Sequence, residues 1–367
     1  MTAIDVETLR SRAAQGDGDA QMALARVFDR EGRHDLALQW LQRAADGGHL
    51  PSLTLLGARL LTGRGAPQMP SQGVQMLAIA ADEGDAQACG IMAVLCAAGQ
   101  MRPQSWSAAL DYLFRAARQG DERARQQIGL LVGDAGLGEQ VRSDGAAAPW
   151  TQARVSIDVG AWLRSAPPRA VSDAPRIFVF EQFLPKAVCA WIMERARPKL
   201  SPAQVQSPAA GDIHHGHRTN SGMGFTLLET DVIVQLVQAR IAMATGIPVT
   251  HQEPANVLHY APGQSYQPHY DFTDPAASPQ FAEMVRREGQ RVATFIVYLN
   301  DGYGGGETDF PHIGLRHRGQ AGDAILFMNV DPAGAVDKRT LHAGLAPTSG
   351  EKWVLSKWIR DRPRAQF

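Results

Sequence analysis

Two histidines and an aspartate have the residue types and the spacing of a metal site. His269 and Asp271 lie two residues apart, and His342 lies far downstream. Residues i and i+2 of a β-strand project from the same face, so an imidazole and a carboxylate placed there can share one metal ion. With a second histidine they form the two-histidine, one-carboxylate set that binds non-haem Fe(II) and leaves positions open for co-substrates. For the tripeptide alone, a strand with two solvent-facing polar residues is the simpler interpretation, so the surrounding sequence has to decide.

The composition is typical of a globular protein. The chain has 367 residues, of which 44% are hydrophobic and 20% charged, enough for two domains with packed cores. A formal net charge of −1 gives no reason to expect nucleic acid or an anionic membrane as a partner. No apolar run approaches the ~20 residues that span a bilayer, and the Met1–Arg10 segment lacks a signal-peptide pattern. Three cysteines fit a reducing compartment better than a disulfide framework, so we expect a cytoplasmic protein.

A short phrase recurs in the N-terminal part. Its copies start 31, 36 and 36 residues apart, a period typical of solenoids built from helix pairs. Ala-Ala allows two helices to approach closely, the following glycine ends a helix, and the next aspartate can begin another. The copies are Ala13-Ala-Gln-Gly-Asp17, Ala44-Ala-Asp-Gly-Gly48, Ala80-Ala-Asp-Glu-Gly-Asp85 and Ala116-Ala-Arg-Gln-Gly-Asp121.

The phrase resembles Sel1-like repeats, relatives of the tetratricopeptide repeat, over residues 7–132. Such arrays are generally protein-interaction scaffolds, so the resemblance implies an all-α solenoid that can dock a protein. The aromatic residues of the array have two interpretations. They are core between the repeats, which we favour, or they belong to a docking surface on the concave face. These residues are Trp40, Trp106, Tyr112 and Phe114.

Residues 133–175 lose the helical period and are predicted to be a linker, because glycine- and proline-rich stretches favour turns. A strand is predicted from Arg176, and helices are predicted over Pro185–Leu200 and Leu227–Gly246. The histidines of the His214–His217 segment could bind a metal. We favour a mobile polar loop there, because glycine-rich flanks do not hold ligand geometry.

The C-terminal part, residues 176–362, is predicted to be a jelly roll (a double-stranded β-helix) with flanking helices. Short strands alternate there with glycine- and proline-rich turns, as in a β-barrel with a liganded interior. The Asp274–Glu288 stretch, with its prolines and charges, is predicted to be a lid or loop beside the metal. The predicted strands are Asn256–Tyr260, Ser265–Phe272, Arg291–Leu299, Asp323–Phe327, Thr340–Leu345 and Lys352–Arg360.

This part resembles the prolyl 4-hydroxylase family of Fe(II)- and 2-oxoglutarate-dependent dioxygenases. The resemblance rests on several motifs that occur in the family's order. They are Arg218-Thr-Asn-Ser-Gly222, Tyr260–Asp271, Gly289–Thr294, Tyr298-Leu-Asn300, Gly305-Gly-Glu-Thr308, Gly322–Phe327, Leu341-His-Ala-Gly344 and Gly350–Arg360. The resemblance implies that His269, Asp271 and His342 bind iron and that 2-oxoglutarate and O2 are co-substrates. It also allows ascorbate as a further cofactor.

A cation must bind the far carboxylate of 2-oxoglutarate. By resemblance this cation is Lys352, which lies between a glycine turn and an apolar strand. Lys357 competes, but its odd separation from Lys352 puts it on the other face of a regular strand. The resemblance adds Tyr260 and Thr308 as hydroxyl donors to the same carboxylate and Thr294 on the cofactor side. Strand packing for Tyr260 and a turn hydroxyl for Thr308 are the alternatives.

The family also implies a substrate side of the site. Arg218 and Arg291 could equally form surface ion pairs, and Asn220 stands where many family members have serine, which leaves the peptide preference open. The positions that match family residues contacting the substrate or walling the site are Tyr266, Arg291, Glu253, Arg218 and Trp358.

The reaction implied by the resemblance is hydroxylation of a C–H bond while 2-oxoglutarate is converted to succinate and CO2. The family favours prolyl residues of a protein or peptide as the substrate, and the repeats favour a protein that they could hold. One alternative is a hydroxylase of a free amino acid or other small metabolite, with the repeats serving assembly. Another is a catalytically inactive binding protein, against which the complete set of ligands argues.

Overall fold

A computed structural model describes residues 6–143, 147–203 and 218–364. They form two compact units, one of residues 6–143, 147–159 and 227–235, the other of residues 160–203, 218–226 and 236–364. The His214–His217 segment lies outside the described residues, so its predicted loop stays a prediction. Within the described ranges, no helix combines the length and apolar character needed to cross a bilayer.

The N-terminal helices form the predicted helical array, in which each helix packs against the next one along the chain. The helices are α1 (Val6–Ala14), α2 (Gly18–Arg30), α3 (His34–Asp46), α4 (Leu50–Thr62), α5 (Pro70–Asp82), α6 (Ala86–Ala98), α7 (Trp106–Arg118) and α8 (Glu122–Leu131).

The recurring phrase forms the turn from each odd-numbered helix to the next helix. Ala80 is fully buried near the end of α5, and Gly84 has a φ of +101°, a left-handed conformation that favours glycine. The Asp85 side chain then accepts a hydrogen bond of 2.7 Å from the Ala88 N–H and caps α6. The corresponding aspartates cap α2 and α8 in the same way. Each part of the phrase therefore has the local role that its residue type predicts.

Small residues set the distance between neighbouring repeats. A Cβ atom at Gly73 of α5 would lie 2.6 Å from the Gly57 carbonyl oxygen of α4, so the two backbones are in contact. At the corresponding positions of α6 and α7, 36 residues further along, lie Ala93 and Ala109, both fully buried. A larger side chain at any of these positions would separate the helices.

The segment 133–175, predicted to be a linker, contains more regular structure than expected. Helix α9 (Ala135–Ser143) packs on α8, and a Cβ atom at Gly138 would lie 2.6 Å from the Gly129 carbonyl oxygen. This is the close crossing seen between α4 and α5, so tertiary packing outweighs the low helix propensity of the glycines. The segment also contains α10 (Trp150–Ser156), α11 (Val159–Leu163) and β1 (Arg169–Asp173). The domain boundaries themselves stay predictions.

The second unit is the predicted jelly roll. Its further strands are β2 (Arg176–Phe180), β3 (Ser201–Pro202), β4 (Ser221–Gly224), β5 (Asn256–Tyr260), β6 (Tyr266–His269), β7 (Arg291–Tyr298), β8 (Gly304–Gly305), β9 (Thr308–Phe310), β10 (Leu315–His317), β11 (Ala324–Met328), β12 (His342–Gly344), β13 (Pro347–Ser349) and β14 (Lys352–Arg360). The large sheet has the order β1-β2-β11-β7-β14-β5-β4-β3, the small sheet β10-β9-β12-β6, and β13 pairs with β8. All these pairs are antiparallel.

Side chains from both sheets fill one core. Ile177 and Val354 of the large sheet belong to the same buried cluster as Phe310 of the small sheet. The rings of Phe310 and Phe327 meet edge to face, with centroids 5.2 Å apart. The two sheets therefore pack face to face, as the alternation of strands and turns predicts.

Successive side chains of strand β14 face opposite sides of the large sheet. It lies in the large sheet between β7 and β5. Lys352 is paired with Tyr260 at one end of the strand, and Trp358 is paired with Thr294 towards the other. Because successive side chains alternate, Lys352 and Trp358 face one side and Lys357 faces the other.

Three helices accompany the strands: α12 (Lys186–Ala196), α13 (Val232–Thr245) and α14 (Pro279–Glu288). Helix α14 occupies most of the predicted lid. It begins after Ser278, whose hydroxyl accepts a hydrogen bond of 3.1 Å from the Phe281 N–H, and it has Pro279 in its first turn. None of its residues is buried. The segment after Asp271 is thus a helix on the surface rather than an irregular loop.

Candidate active site

Two neighbouring strands of the small sheet bring the three predicted metal ligands together. His269, at the end of β6, is paired directly with His342, at the start of β12. Asp271 follows two residues after His269, so it lies beyond the strand that was predicted to continue to Phe272. The distances from Asp271 Oδ1 to His269 Nε2 and from Asp271 Oδ2 to His342 Nε2 are both 3.5 Å. The three ligand atoms lie within 4.8 Å of one another, as groups around one ion must.

Backbone carbonyls orient both imidazoles. His269 Nδ1 donates to the Gln267 carbonyl at 2.8 Å, and His342 Nδ1 donates to the Thr340 carbonyl at 3.1 Å. A carbonyl oxygen only accepts, so each Nδ1 carries a hydrogen, and in the neutral ring Nε2 is left to present its lone pair. This is the neutral form of histidine that binds metals.

Burial favours the same neutral form at His342. The side chain is 4% exposed, and its ring lies 4.7 Å from the ring centroid of Phe327. Burial, followed by the charge of His269, lowers the pKa of His342 to about 4. The ring is therefore uncharged near neutral pH and ready to bind a cation.

A hydrogen-bonded chain holds the carboxylate of Asp271. Thr294 donates to Asp271 Oδ2 at 2.7 Å, and Asn329 Nδ2 donates to the Thr294 hydroxyl at 3.1 Å. Burial raises the pKa of Asp271, but the two imidazoles and the Thr294 hydroxyl outweigh it and lower the pKa overall. Thr294, predicted on the cofactor side, thus contacts a metal ligand instead. Asn329 had no signal in the sequence beyond its place after an apolar strand.

A cavity adjoins the three ligands, and Lys352 lies in its wall. The lysine is 2% exposed, and its ammonium lies 5.2 Å from the ring centroid of Tyr260. Among the described residues, none accepts a hydrogen bond from this ammonium. Burial lowers the pKa of Lys352 to about 8. Because an unpaired buried cation is costly, the site is suited to an anion at this end.

Two hydroxyl groups predicted to bind the same anion also line this cavity, those of Tyr260 and Thr308. Both side chains are buried, and burial raises the pKa of Tyr260, so its hydroxyl stays a donor. Gly344 leaves room beside it, since a Cβ atom there would lie 3.2 Å from the Tyr260 hydroxyl oxygen. The Thr308 hydroxyl lies 2.9 Å from the hydroxyl of Tyr298, to which the sequence analysis gave no role beyond its place in the Tyr298-Leu-Asn300 motif.

The competing lysine, Lys357, faces away from the cavity. Its ammonium donates to the Gln238 side-chain carbonyl of α13 at 2.7 Å and to the backbone carbonyl of Glu253. It is fully buried, and burial lowers its pKa to about 7. The odd separation from Lys352 therefore correctly predicted that only Lys352 lines the cavity.

Tyr266 connects the first histidine to the mouth of the cavity. Its ring stacks on the ring of His269 with centroids 3.5 Å apart and an interplanar angle of 16°. The guanidinium of Arg218 lies over the other face, 4.6 Å from the Tyr266 centroid, and donates to the Asn220 side chain at 2.8 Å. Both residues line the cavity, where the sequence placed the substrate side.

Glu253 lies inside the wall of the site instead of facing a substrate. It is 8% exposed. Arg291 binds both of its oxygens, at 2.7 and 2.9 Å, and Arg360 binds one of them at 2.7 Å. Burial raises the pKa of Glu253, but Arg291 and then Arg360 outweigh it and lower the pKa overall. The sequence analysis placed Glu253 among residues that contact the substrate or wall the site. It did not predict the pairing with two arginines, because the partner positions are remote in the chain.

Arg291 links this carboxylate to the active site. One of its amino groups lies 3.4 Å from the backbone carbonyl of Asp271, and its guanidinium lies 3.8 Å from the ring centroid of Trp358. Trp358 lines the cavity, and its buried Nε1–H has no acceptor among the described residues. Arg291 is therefore a support for the wall and for a metal ligand, and Trp358 presents a free donor.

The comparisons with known proteins agree with this geometry. The family model of the 2OG-Fe(II) oxygenase superfamily matches residues 255–360, which include the three ligands and Lys352. The probable prolyl 4-hydroxylase 9 of Arabidopsis thaliana is 35% identical over 222 residues, covering 56% of this chain and 75% of that protein.

Two solved structures are each similar to part of the chain. A viral collagen prolyl hydroxylase from Paramecium Bursaria Chlorella virus-1, in its 2-oxoglutarate complex, is 29% identical and covers 52% of this chain and 98% of that one, with a TM-score of 0.40. A Sel1 repeat protein from Oxalobacter formigenes is 26% identical and covers 41% of this chain and 63% of that one, with a TM-score of 0.33.

The donor set fits the cofactors of that superfamily. Two neutral imidazoles and one ionised carboxylate are the ligands that Fe(II) takes in its oxygenases. The unpaired ammonium of Lys352 in the same cavity suits the second carboxylate of 2-oxoglutarate. With the extent of the match to the plant enzyme, the chain belongs to the prolyl 4-hydroxylase family of Fe(II)- and 2-oxoglutarate-dependent dioxygenases.

Proposed function

We propose that this protein hydroxylates prolyl residues of a protein or peptide, consuming 2-oxoglutarate and O2 and releasing succinate and CO2. The observation that carries the proposal is that the His269–Asp271–His342 cluster and the ammonium of Lys352 line one cavity. A keto diacid that chelates the metal needs a cation for its other carboxylate. The plant relative named above is a probable prolyl 4-hydroxylase, which supports the choice of proline.

The side chains of the site have different proposed roles. His269, His342 and Asp271 would hold Fe(II), which, with 2-oxoglutarate, supplies the oxidation of a C–H bond. Lys352 would bind and orient the diacid by charge. The aromatic rings of Tyr266 and Trp358 line the cavity and would exclude water from it.

Mass spectrometry tests the activity directly. The protein is incubated with Fe(II), 2-oxoglutarate and proline-containing peptides, with matched peptides in which alanine replaces proline. We expect a gain of one oxygen on proline with an equal yield of succinate. Succinate formed only in the presence of a free amino acid or other small metabolite would contradict the proposal.

We propose that the helical repeats dock the protein substrate. Trp40 of α3 and Tyr112 of α7 occupy corresponding positions and are half-buried, and guanidinium groups lie over both rings. Arg43 lies 4.9 Å from the Trp40 centroid, and Arg115 lies 5.2 Å from the Tyr112 centroid. Aromatic and arginine side chains are frequent anchors of protein interfaces, which supports this surface.

Affinity capture identifies the substrate. Proteins retained by a His342→Ala variant are exposed to the wild-type enzyme and searched for hydroxyproline. Replacing Trp40 and Tyr112 by alanine should raise the KM for the protein so identified and leave the KM for a short peptide from it unchanged. An equal change of both KM values would contradict docking by the repeats.

We also propose a reducing, cytoplasmic location. The chain has three free cysteines, Cys89, Cys96 and Cys189, and all are buried. Buried free thiols support the proposal, because oxidising compartments favour disulfides in exposed positions. Cell fractionation with an antibody against the protein tests it.

A further inference from the structure

Two hydroxyl groups meet beside the cavity that Lys352 also lines. Thr308 is 3% exposed and lines the cavity. Tyr298 is fully buried behind it. Tyr298 belongs to β7 of the large sheet and Thr308 to β9 of the small sheet, and their oxygens are 2.9 Å apart. This hydrogen bond joins the two sheets beside the predicted carboxylate site.

The number of hydrogens decides which hydroxyl donates. The oxygens of a carboxylate only accept, so a hydrogen bond from Thr308 to a bound carboxylate uses the single hydroxyl hydrogen of Thr308. Thr308 can then only accept from Tyr298, and Tyr298 must be the donor. The other acceptor near Tyr298 is the His317 carbonyl at 3.4 Å, which is at the long end of the range for a hydrogen bond.

The ring of Tyr298 is held in place, so its hydroxyl oxygen stays beside Thr308. Gly319 packs against it so closely that a Cβ atom there would lie 2.4 Å from Tyr298 Cδ2. The backbone of Tyr298 is tied at both ends, by its N–H to the Asp323 carbonyl at 2.9 Å and by its carbonyl to the Gly322 N–H at 2.8 Å.

We propose that Tyr298 is a positioning residue for 2-oxoglutarate: it donates to Thr308 and thereby directs the Thr308 hydrogen towards the far carboxylate of the co-substrate. The inference rests on the proposed function, because it assigns the carboxylate of 2-oxoglutarate to this cavity. Two hydrogen bonds in series strengthen each other, and the second has a charged acceptor.

Binding of 2-oxoglutarate to the Fe(II)-loaded protein without oxygen tests the proposal without relying on turnover. The substitution Tyr298→Phe removes one oxygen and keeps the ring. From the usual contribution of one hydrogen bond we expect the Kd for 2-oxoglutarate to rise about 3- to 10-fold. The Kd for Fe(II) and the KM for peptide should stay unchanged, whereas a general loosening of the site would change all three.

Tyr303 provides a matched control. It is 5% exposed, like Tyr298 it lies in the second unit, and its hydroxyl has no hydrogen-bond partner among the described residues. The same chemical change, Tyr303→Phe, should therefore leave the Kd for 2-oxoglutarate within about twofold of the wild-type value. A rise equal to that of Tyr298→Phe would overturn the assignment to Tyr298.

A double-mutant cycle tests whether Tyr298 acts through Thr308. Thr308→Val should weaken 2-oxoglutarate binding by itself. If the effect of Tyr298 passes through Thr308, adding Tyr298→Phe to Thr308→Val changes the Kd no further. Independent, multiplicative effects of the two substitutions would overturn the proposal, as would an unchanged Kd in Tyr298→Phe alone.

Two further results keep the test decisive. If the wild-type protein binds no 2-oxoglutarate, the proposed function fails; if it binds and Tyr298→Phe binds equally well, only the role of Tyr298 fails. If Tyr298→Phe does not fold, Thr308→Ser and Thr308→Val are compared. The proposal requires Thr308→Ser to keep the affinity for 2-oxoglutarate within about twofold and Thr308→Val to lose that affinity. The reason is that only a hydroxyl can both accept and donate a hydrogen bond. Equal affinities of the two variants overturn the proposal.

Discussion

The two units bury different kinds of side chain. Among the described residues of α1–α8, the buried polar side chains are uncharged: Gln21, Ser52, Thr54 and Gln127. The jelly roll buries Asp271, His342 and Lys352 around its cavity and Glu253, Lys357 and Arg360 in its wall. Each buried charge opposes folding unless it is paired. The repeats are therefore built for stability, whereas the jelly roll gives up stability where a metal and an anion must bind.

The comparison predicts opposite effects of substitution in the two units. Removing a charge from the cavity should affect binding and turnover more than folding. Changing a small residue in the repeats should affect folding and leave the chemistry intact. The five predictions below test this division in order of decreasing effect.

The largest effect is expected for His342→Ala. Loss of a metal ligand should reduce succinate formation by at least about 100-fold. This reduction is larger than the usual effect of losing a group that only orients a metal ligand. The melting temperature should stay close to that of the wild type, because a neutral ring is replaced by a small apolar side chain. The exposed His312 is the control, and His312→Ala should keep full activity. Unchanged turnover in His342→Ala would refute the metal site.

Lys352→Met should weaken 2-oxoglutarate binding by about 30-fold or more, the range for losing one partner of a buried charge pair, and change Fe(II) binding little. The same substitution should raise the melting temperature of the cofactor-free protein at pH 7, since it removes an unpaired buried cation. Equal losses of 2-oxoglutarate and iron affinity would count against a carboxylate site at Lys352.

The pKa of Lys352 sets the direction of the pH dependence. Burial lowers it from 10.5 to about 8, so binding of the diacid should weaken as the pH rises above about 8. The folded protein then releases a proton that the unfolded chain keeps until about 10.5, and the stability without cofactor should rise with pH across this window. In Lys352→Met the pH dependence of diacid binding should disappear, as measured by titration calorimetry. The rise of stability with pH, measured by thermal unfolding, should become shallower, and the remaining rise is due to Lys357, whose pKa burial lowers to about 7.

Glu253→Gln should lower the free energy of unfolding by about 3 kcal/mol, because it removes the charged partner of the buried Arg360 and the half-buried Arg291. Peptide KM should rise as a secondary effect, since Arg291 also supports Trp358 and the Asp271 carbonyl. Glu283→Gln on α14, where the carboxylate is 51% exposed, is the control and should change little. A stable Glu253→Gln with a large loss of peptide binding would restore the substrate role predicted from the sequence.

The smallest effect is expected in the repeats. Gly73→Ala should destabilise the protein by about 1–3 kcal/mol, because its new methyl group would lie 2.6 Å from the Gly57 carbonyl oxygen. Gly90→Ala in α6 meets nothing within 4 Å and should stabilise it by about 0.5–1 kcal/mol. Turnover of a short peptide should be unchanged in both. Equal stabilities of the two variants would show that the close helix crossing has no energetic role.

Local rules sufficed for most of the repeat unit. The recurring phrase predicted each turn, since every copy has a left-handed glycine and three of the four copies have an aspartate that caps the next helix. They failed at α9, whose glycines were interpreted as turns. There Gly138 is helical because it allows the backbone to contact Gly129 of α8, and that requirement is visible only when both helices are in place.

In the jelly roll, the residue types of the site were predictable and several of their partners were not. The ligands, Lys352, Tyr260 and Thr308 all line one cavity, and strand alternation correctly excluded Lys357. Thr294 and Glu253 were assigned to the cofactor and the substrate, whereas Thr294 holds Asp271 and Glu253 holds two arginines.

The sequence by itself determined the type of chemistry, because histidine, aspartate and lysine in a motif limit which ions can bind, and it determined the helical repeats, because caps and small residues act within a few positions. Only the tertiary structure decided which polar groups face the cavity and which face each other. That choice depends on strands far apart in the chain, such as the pairing of β6 with β12 that places His269 opposite His342. A side chain's role in this barrel is set by the hydrogen-bond partner across the sheet, and no spacing along the chain specifies that partner.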